Sequence, residues 1–138
     1  MSTPVRPAGL VPARALELIE RAEAELVAAT FSQEPDARFR HAHLAALRTG
    51  AAVLAVRGRP AGRGMPRSVW GLLPRVAPEL AGAAAFFAAG AAAREAIEAG
   101  LPSVVGEDRA DVVLAAAEDF LTDARALICG RAAGARAS

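Results

Sequence analysis

The sequence predicts an all-α fold, an antiparallel up-and-down bundle of four long helices plus one short helix. Apolar residues recur with the 3.6-residue period of an amphipathic helix, and no segment alternates apolar and polar residues convincingly as a strand does. Alanine, which has the highest intrinsic helix propensity, supplies much of the 54% hydrophobic content. Gly-x-Pro stops at Gly58 and Gly100 separate periodic segments, as expected where helices end. A chain of 138 residues is long enough for one self-sufficient domain.

The first predicted helix covers residues 12–30 and presents one apolar stripe. That stripe joins Val11, Ala15, Leu18, Ala22, Leu26 and Ala29. Residues 1–10 hold no long apolar run, so we expect a flexible N-terminal segment without a secretory signal. The helical domain is predicted over residues 11–129, and a flexible C-terminal tail over residues 130–138.

The second predicted helix starts near Pro35, a favoured first-turn residue, and ends just before Gly58. His43 is predicted near the centre of its apolar face, whereas His41 is predicted on the opposite side, in solvent. The full apolar face joins Phe39, His43, Ala46, Leu47, Gly50, Val53 and Leu54. A zinc site is not expected, because the two histidines diverge and only Cys129 could add a third ligand of that kind.

The second half of the chain predicts three more helices. A short helix over residues 68–73 begins at the cap Ser68 and is anchored by Trp70, and two prolines then predict a bend or break. A fourth helix follows over residues 78–99, and its uncharged stretch of 14 residues is shorter than the ~20 that span a membrane. We therefore expect a cytoplasmic protein without membrane contact. The last helix, over residues 109–129, gathers its apolar side chains in one sector of roughly 140°.

The charge is sorted along the chain. The segment from Asp36 to Arg75 holds eight arginines and one acid, a net charge of +7, whereas the residues before and after it carry −2 and −4. The formal charge of the whole chain, +1, therefore hides a basic middle between acidic ends. Such asymmetry predicts either an anionic partner or an interaction with the acidic ends of the chain itself. Every basic residue is arginine, which forms bidentate contacts with phosphate or carboxylate.

The segment after the second helix is the main candidate surface for a nucleic acid. The candidate nucleic-acid-binding residues are Arg40, Arg57, Arg59, Arg63 and Arg67. The tetrapeptide Arg-Gly-Arg-Pro at 57–60 is the core of an AT-hook, but its flanks lack the expected basic or proline residues. Salt-sensitive contacts with the nucleic-acid backbone are therefore more plausible than minor-groove binding. The plain alternative is a helix stop followed by a solvated loop.

No motif indicates a cofactor or a metal. The chain has no phosphate-binding glycine loop, no Rossmann glycine pattern, no serine nucleophile with its base and no cysteine cluster. The last helix carries an acidic face, which is either solvated or docks against a basic partner, including a second copy of the chain. That face consists of Asp111, Glu118, Asp119 and Asp123.

Several segments, taken in order, resemble a known family. They are Arg-Phe-Arg-His-Ala-His-Leu-Ala-Ala-Leu-Arg (38–48), Pro-Arg-Ser-Val-Trp-Gly-Leu-Leu (66–73), Ala-Pro-Glu-Leu (77–80), Phe-Phe-Ala-Ala-Gly (86–90) and Ala-Glu-Asp-Phe-Leu (117–121). Together they resemble a small HEPN-domain family (higher eukaryotes and prokaryotes nucleotide-binding) common in high-GC Gram-positive bacteria. The resemblance covers residues 12–129. It implies a HEPN-like helical bundle, a homodimer, and a role in RNA binding, RNA cleavage or a toxin–antitoxin system.

The resemblance also implies a candidate catalytic pair. Nucleolytic members carry an arginine and, four to six residues later, a histidine, usually at the start of a late core helix. Arg38 and His43 have this spacing, but they lie in the second helix, and Phe39 follows Arg38 where active members commonly have a polar residue. We therefore expect a non-catalytic protein that binds RNA, another nucleic acid or a nucleotide. The alternatives are a metal-independent ribonuclease using Arg38 and His43, and an antitoxin-like protein-interaction module.

Overall fold

The computed structural model describes the backbone of residues 10–137 and the side chains of residues 10–130. This part of the chain contains no strand, and the predicted all-α class is confirmed. Its α-helices are α1 (Ala13–Phe31), α2 (Pro35–Arg57), α3 (Val69–Val76), α4 (Ala81–Ala88), α5 (Ala91–Glu98) and α6 (Glu107–Ala137). A 3-10 helix, Pro78–Leu80, precedes α4. The predicted N-terminal segment lies, Leu10 apart, outside the described residues, and the flexibility of the predicted tail stays a prediction.

The helices alternate in direction, as the up-and-down prediction expects. Arg38, near the start of α2, pairs with Glu107 and Asp111 at the start of α6. Ile128, in the second half of α6, packs against a cluster formed by Ala52 of the second half of α2 and by Ala15 and Leu18 of the first turns of α1. These two helices therefore run parallel, and α1 runs antiparallel to both. The unit formed by α4 and α5 returns along α2 in the opposite direction, because the segment that follows it bonds to Asp36 at the start of α2.

The central helix is α2, which is buried along two stripes rather than one. The predicted stripe is confirmed, with Phe39, His43 and Val53 at 0–1% exposure. A second buried stripe consists of Ala42, Ala45, Thr49 and Ala52, and its Ala52 packs with Ala15 and Leu18 of α1. Alanine and threonine carry a weak hydrophobic signal, so periodicity alone does not reveal this second face. Burial on both stripes places α2 between α1 and the remaining helices.

The short helix α3 begins and packs as its sequence predicts. The Ser68 hydroxyl accepts a hydrogen bond from the Gly71 N–H at 3.0 Å, which satisfies one of the free donors of the first turn. Trp70 is 7% exposed, and its ring stacks on Phe87 at 5.4 Å between centroids. The Phe120 ring of α6 lies 5.4 Å from the Phe87 ring in a tilted arrangement, so one aromatic cluster joins α3, α4 and α6.

The predicted fourth helix is broken in the structure, so the bundle has three long helices and three short ones among the described residues. The segment bends by 42° between α4 and α5. At the break the Phe87 carbonyl accepts hydrogen bonds from the Gly90 N–H at 3.0 Å and from His43 Nε2 at 2.7 Å. A side chain inserted into the hydrogen-bond ladder is a known cause of a kink. Because His43 lies 44 residues from Phe87, local sequence does not show this break.

The turn before α6 is fixed by the first turn of α2. The Asp36 carboxylate accepts hydrogen bonds from the Val104 N–H at 3.1 Å and the Val105 N–H at 2.8 Å. Gly106 then directly precedes α6, and its carbonyl accepts a hydrogen bond from the Ala110 N–H. No single helix among the described residues is long and apolar enough to cross a membrane. The two helical segments Pro78–Ala88 and Ala91–Glu98 are long and apolar enough for a membrane span only when they are counted together, and they are bent relative to each other.

Candidate functional site

Two arginines of the basic segment are neutralised by carboxylates inside the molecule. Arg38 donates through Nη1 to Glu107 and to Asp111, each at 2.8 Å, and its other nitrogens donate to the Ser32 and Gln33 carbonyls. The side chain is only 13% exposed. Arg38 therefore ties the α1–α2 turn to the start of α6, and all of its nitrogens are engaged.

Arg57 is also engaged internally. Its Nη1 donates to the Val76 carbonyl at 2.8 Å, and its guanidinium pairs with the Glu79 carboxylate. The pKa of the Glu79 carboxyl is lowered below its ordinary value. The larger cause is a hydrogen bond that the carboxylate accepts from the Glu79 backbone, and the smaller is this ion pair. Arg57 thus holds the end of α2 against the segment between α3 and α4, which leaves it less available to an external phosphate.

Arg40 and His41 form a small polar chain toward α1. Arg40 Nη2 lies 3.2 Å from His41 Nε2, and His41 Nδ1 lies 3.3 Å from the Glu25 carboxylate. With Arg40 as the donor to Nε2, the His41 proton sits on Nδ1 and points to Glu25. The prediction that His41 lies in solvent is wrong, because its side chain is 21% exposed and packed between α2 and α1.

His43 lies in the core, 1% exposed, and both of its ring nitrogens have protein partners. Arg94 Nε donates to Nδ1 at 2.9 Å, so the proton is on Nε2, which donates to the Phe87 carbonyl. Burial lowers the pKa of His43, and the nearby Arg94 charge adds to that effect, while the bond to Phe87 opposes it. The neutral imidazole is therefore held in one tautomer and one orientation.

The structure does not bring Arg38 and His43 into one site. Arg38 contacts the α1–α2 turn and α6, whereas His43 contacts α4 and α5. A phosphate cleavage site needs a cation and a proton-transfer group that reach the same phosphate. Here the guanidinium is shared between two carboxylates, and both nitrogens of the imidazole are already hydrogen-bonded within the protein.

The remaining candidates, Arg59, Arg63 and Arg67, lie in the connection between α2 and α3, residues 58–68, which we call the basic loop. All three side chains are exposed, and none forms an ion pair with a carboxylate among the described side chains. Gly58, Gly62 and Gly64 adopt positive φ angles of 94°, 131° and 82°, which shape an open, non-helical path. The basic loop therefore presents three guanidinium groups to solvent within nine residues.

A groove extends the basic loop onto α1. Its volume is about 340 Å³, and Arg14 of α1 and Arg59 of the basic loop both line it. The remaining lining is mainly aliphatic and comes from Leu18, Ala51, Leu54 and Ala55, with Gly58. Arg14 lies 3.5 Å from Glu17 at an exposed position, a weak pairing. Two guanidinium groups therefore flank one shallow apolar floor next to the basic loop.

Comparison with known families matches residues 29–125, more than half of the chain, to the SAV_6107-like HEPN domain. The chain belongs to the SAV_6107-like HEPN family. The matched region runs from the end of α1 into α6, so it contains α2, the basic loop and the aromatic cluster of this HEPN domain. This assignment confirms the family resemblance drawn from the sequence. No curated protein and no solved structure matches the chain.

Sequence reasoning missed two arginines of this HEPN domain that lie near His43. Arg94 fixes the His43 tautomer and pairs with Glu98 at 2.9 Å. Arg109 lies over the Phe39 ring at 5.1 Å from its centroid. Both lie outside the segment of net charge +7, and the contacts of Arg94 with His43 and of Arg109 with Phe39 join residues more than 50 positions apart. The i, i+4 spacing of Arg94 and Glu98 was the one local signal available.

No group of three or more potential metal ligands occurs among the described residues of the HEPN domain. Cys129 is exposed near the end of the side chains that the structure describes. The charged groups around Arg38 are one cation shared by two carboxylates, so its guanidinium is engaged and the group carries a net negative charge. The interaction that these described residues support is therefore ion pairing between the exposed guanidinium groups of the basic loop and an anion.

Proposed function

We propose that this HEPN-domain protein binds RNA or another nucleic acid through its basic loop, without cleaving it. The observation that carries the proposal is the exposure of Arg59, Arg63 and Arg67 without a carboxylate partner among the described side chains. Arg38 and Arg57 belong to the same basic segment but are neutralised inside the fold. Six arginines of the segment from Asp36 to Arg75 have no carboxylate partner among the described side chains, and three of the six lie together in the basic loop. The other three, Arg40, Arg48 and Arg75, lie on α2 and α3.

The chemistry of the basic loop suits the phosphate backbone rather than base edges. An exposed glycine-rich loop can follow an irregular backbone, and each guanidinium offers a bidentate contact to phosphate. The groove with Arg14 adds a fourth cation beside Arg59. Aromatic side chains that stack on bases are not part of this surface, since Trp70 is buried. The expected binding is salt-dependent and weakly selective for sequence.

A ribonuclease function finds no support in the geometry of Arg38 and His43. The two side chains contact different elements, and both His43 nitrogens have protein partners. General base catalysis at this position would require breaking the bond to Phe87 or the bond from Arg94. We therefore propose that the protein binds a nucleic acid and does not cleave it. Homodimer formation, a toxin–antitoxin role and a cytoplasmic location stay predictions.

The experiment compares the affinity of the wild-type protein and the double variant Arg63→Gln/Arg67→Gln for a labelled single-stranded RNA across a salt series. Each lost phosphate contact should reduce the slope of log Kobs against log salt by roughly 0.7 for a single strand. The double variant should therefore bind more weakly at low salt and show a slope smaller by about 1.4.

A matched control has the same charge change at another place. Arg21→Gln/Arg125→Gln also removes two arginines, one exposed on α1 and one paired with Glu23 on the exposed surface. This control should keep most of the affinity and the slope. If both double variants lose affinity equally, net charge rather than the basic loop explains binding. If the wild type does not bind at low salt, or if the purified protein carries a specific protein partner and no nucleic acid, the proposal is wrong.

A further inference from the structure

A second candidate site lies where the break between α4 and α5 faces the first turns of α6. The cavity there has a volume of about 430 Å³, within the roughly 300–1,000 Å³ of small-molecule sites. Most of its lining is apolar and comes from Phe86, Phe87, Ala89, Gly90, Val112 and Val113. Phe86 and Val112 are 43% and 57% exposed, more than the other lining valine and phenylalanine. The cavity thus has a buried apolar wall and an accessible apolar rim.

Arg109 is the one arginine that lines this cavity, and it forms no ion pair among the described side chains. The guanidinium of Arg109 lies 5.1 Å from the centroid of the Phe39 ring, and this cation–π contact restricts its position. Its neighbours Glu107 and Asp111 both pair with Arg38, and no other described carboxylate forms an ion pair with Arg109. Arg109 also lies in the first turn of α6, where the positive end of the helix dipole disfavours a cation. An anion bound here would relieve both effects.

Two further polar side chains line the cavity, and neither offers a better anchor. Asp108 also lies in the first turn of α6, where the helix dipole stabilises its negative charge without a partner. His43 contributes only the carbon edge of its ring, because both of its nitrogens are bonded to Arg94 and Phe87. The ligand that complements this arrangement has one anionic group and an apolar body.

We propose that the cavity between the α4–α5 break and α6 binds a small monocarboxylate with an aromatic or branched aliphatic body. The carboxylate contacts the Arg109 guanidinium, which offers a planar pair of N–H donors for bidentate binding. The apolar body packs against Phe86, Phe87 and Val112. This site lies beside the first half of α2, whereas the basic loop follows the end of α2. Binding of nucleic acid and binding of a carboxylate are therefore separable by experiment.

The test uses two probes with the same body and opposite charge, 3-phenylpropionate and 3-phenylpropylamine. Trp70 is the only tryptophan of the chain and stacks on Phe87, which lines the cavity, so its fluorescence reports on occupancy. We expect a saturable response to the carboxylate and an affinity at least about tenfold lower for the amine, the effect of one charge-assisted contact. Arg109→Gln should lower the carboxylate affinity by about tenfold.

Neighbouring variants supply the controls. Asp108→Asn removes a charge of the opposite sign from the same rim, and it should leave the carboxylate affinity unchanged or raise it. Arg109→Lys keeps the charge without the planar fork and should lose only part of the affinity. Thermal melts of each variant show that the fold is kept. Equal affinity for the two probes, unchanged carboxylate binding by a folded Arg109→Gln variant, or no saturable response to the carboxylate overturns the proposal.

Discussion

At the scale of single residues, His43 connects α2 with α4 and α5 through its side chain. It receives a hydrogen bond from Arg94, donates one to Phe87 and stacks on Phe39 at 5.9 Å between ring centroids. Its central place on the apolar face of α2 followed from helical periodicity, and its burial confirms that prediction. Its partners did not follow, because Phe87 and Arg94 are distant in sequence and neither is marked by a motif.

The lowered pKa of His43 gives stability a pH dependence with a definite sign. The unfolded chain takes up a proton near pH 6.5, whereas the folded protein, with its lower pKa, stays neutral there. Stability from this group is complete above the unfolded pKa and falls as pH drops below it, by at most about 1.4 kcal/mol per pH unit. The fall ends once pH is below the folded pKa.

Urea unfolding of wild type, His43→Gln and His41→Gln at pH 7.5, 6.5 and 5.5 measures this dependence. The His43→Gln variant should be less stable at pH 7.5, and its disadvantage should shrink toward pH 5.5. In the His41→Gln variant, His43 is unchanged, so its contribution to the pH dependence of stability should be the same as in the wild type. If the His43→Gln difference is the same at all three pH values, the buried neutral imidazole is not the cause.

At the scale of elements, the break between α4 and α5 is the main feature that sequence did not predict. Its residues have high helix propensity, and only Gly90 interrupts them locally. A Cβ at Gly90 would lie 3.1 Å from His43 Cδ2 and 3.3 Å from Phe39 Cζ, so a side chain there would crowd α2. Position 90 therefore requires glycine because α2 approaches it closely. The sequence around it shows only one small residue among alanines and does not reveal this tertiary contact.

Two glycine substitutions separate helix propensity from this close approach. Gly82→Ala changes an exposed glycine of α4 with nothing within 4 Å of the new Cβ, and it should stabilise the protein by roughly 0.5–1 kcal/mol. Gly90→Ala should destabilise it by about 1–2 kcal/mol, because two hydrogen bonds hold His43 in place and prevent it from moving away. Thermal or urea unfolding measures both. A Gly90→Ala variant as stable as Gly82→Ala would show that His43 and Phe39 yield easily.

At the scale of the whole molecule, the sequence predicted the fold class, the direction of the helices and the charge asymmetry. It did not predict which arginines pair with carboxylates of the same chain. The helices α1, α2 and α6 could be predicted because each buries an apolar stripe against the core. The pairing of Arg38 with Glu107 and Asp111 joins segments 69 and 73 positions apart. Counting charges along the chain cannot separate such an arginine from Arg63, which is exposed in the basic loop.

The first turn of α2 also joins distant parts of the molecule through Asp36. Asp36→Ala should lower the free energy of unfolding by about 1–3 kcal/mol, because the Val104 and Val105 N–H groups both lose their acceptor. Asp123→Ala removes a carboxylate from the exposed face of α6 and should change stability by less than about 0.5 kcal/mol. Urea titrations at neutral pH compare the two. Equal losses would mean that water replaces the Asp36 carboxylate without cost.

The caps on either side of the basic loop have a consequence for engineering. The Gly58 N–H bonds to the Leu54 carbonyl to finish α2, and Ser68 starts α3 through its own hydroxyl, so both ends are anchored independently of what lies between. A longer or shorter connection should change the reach of its guanidinium groups while leaving the core intact, since doubling a flexible loop costs only about 0.6 kcal/mol. On the proposed function, the length of nucleic acid that the basic loop contacts should therefore change with the length of the insertion.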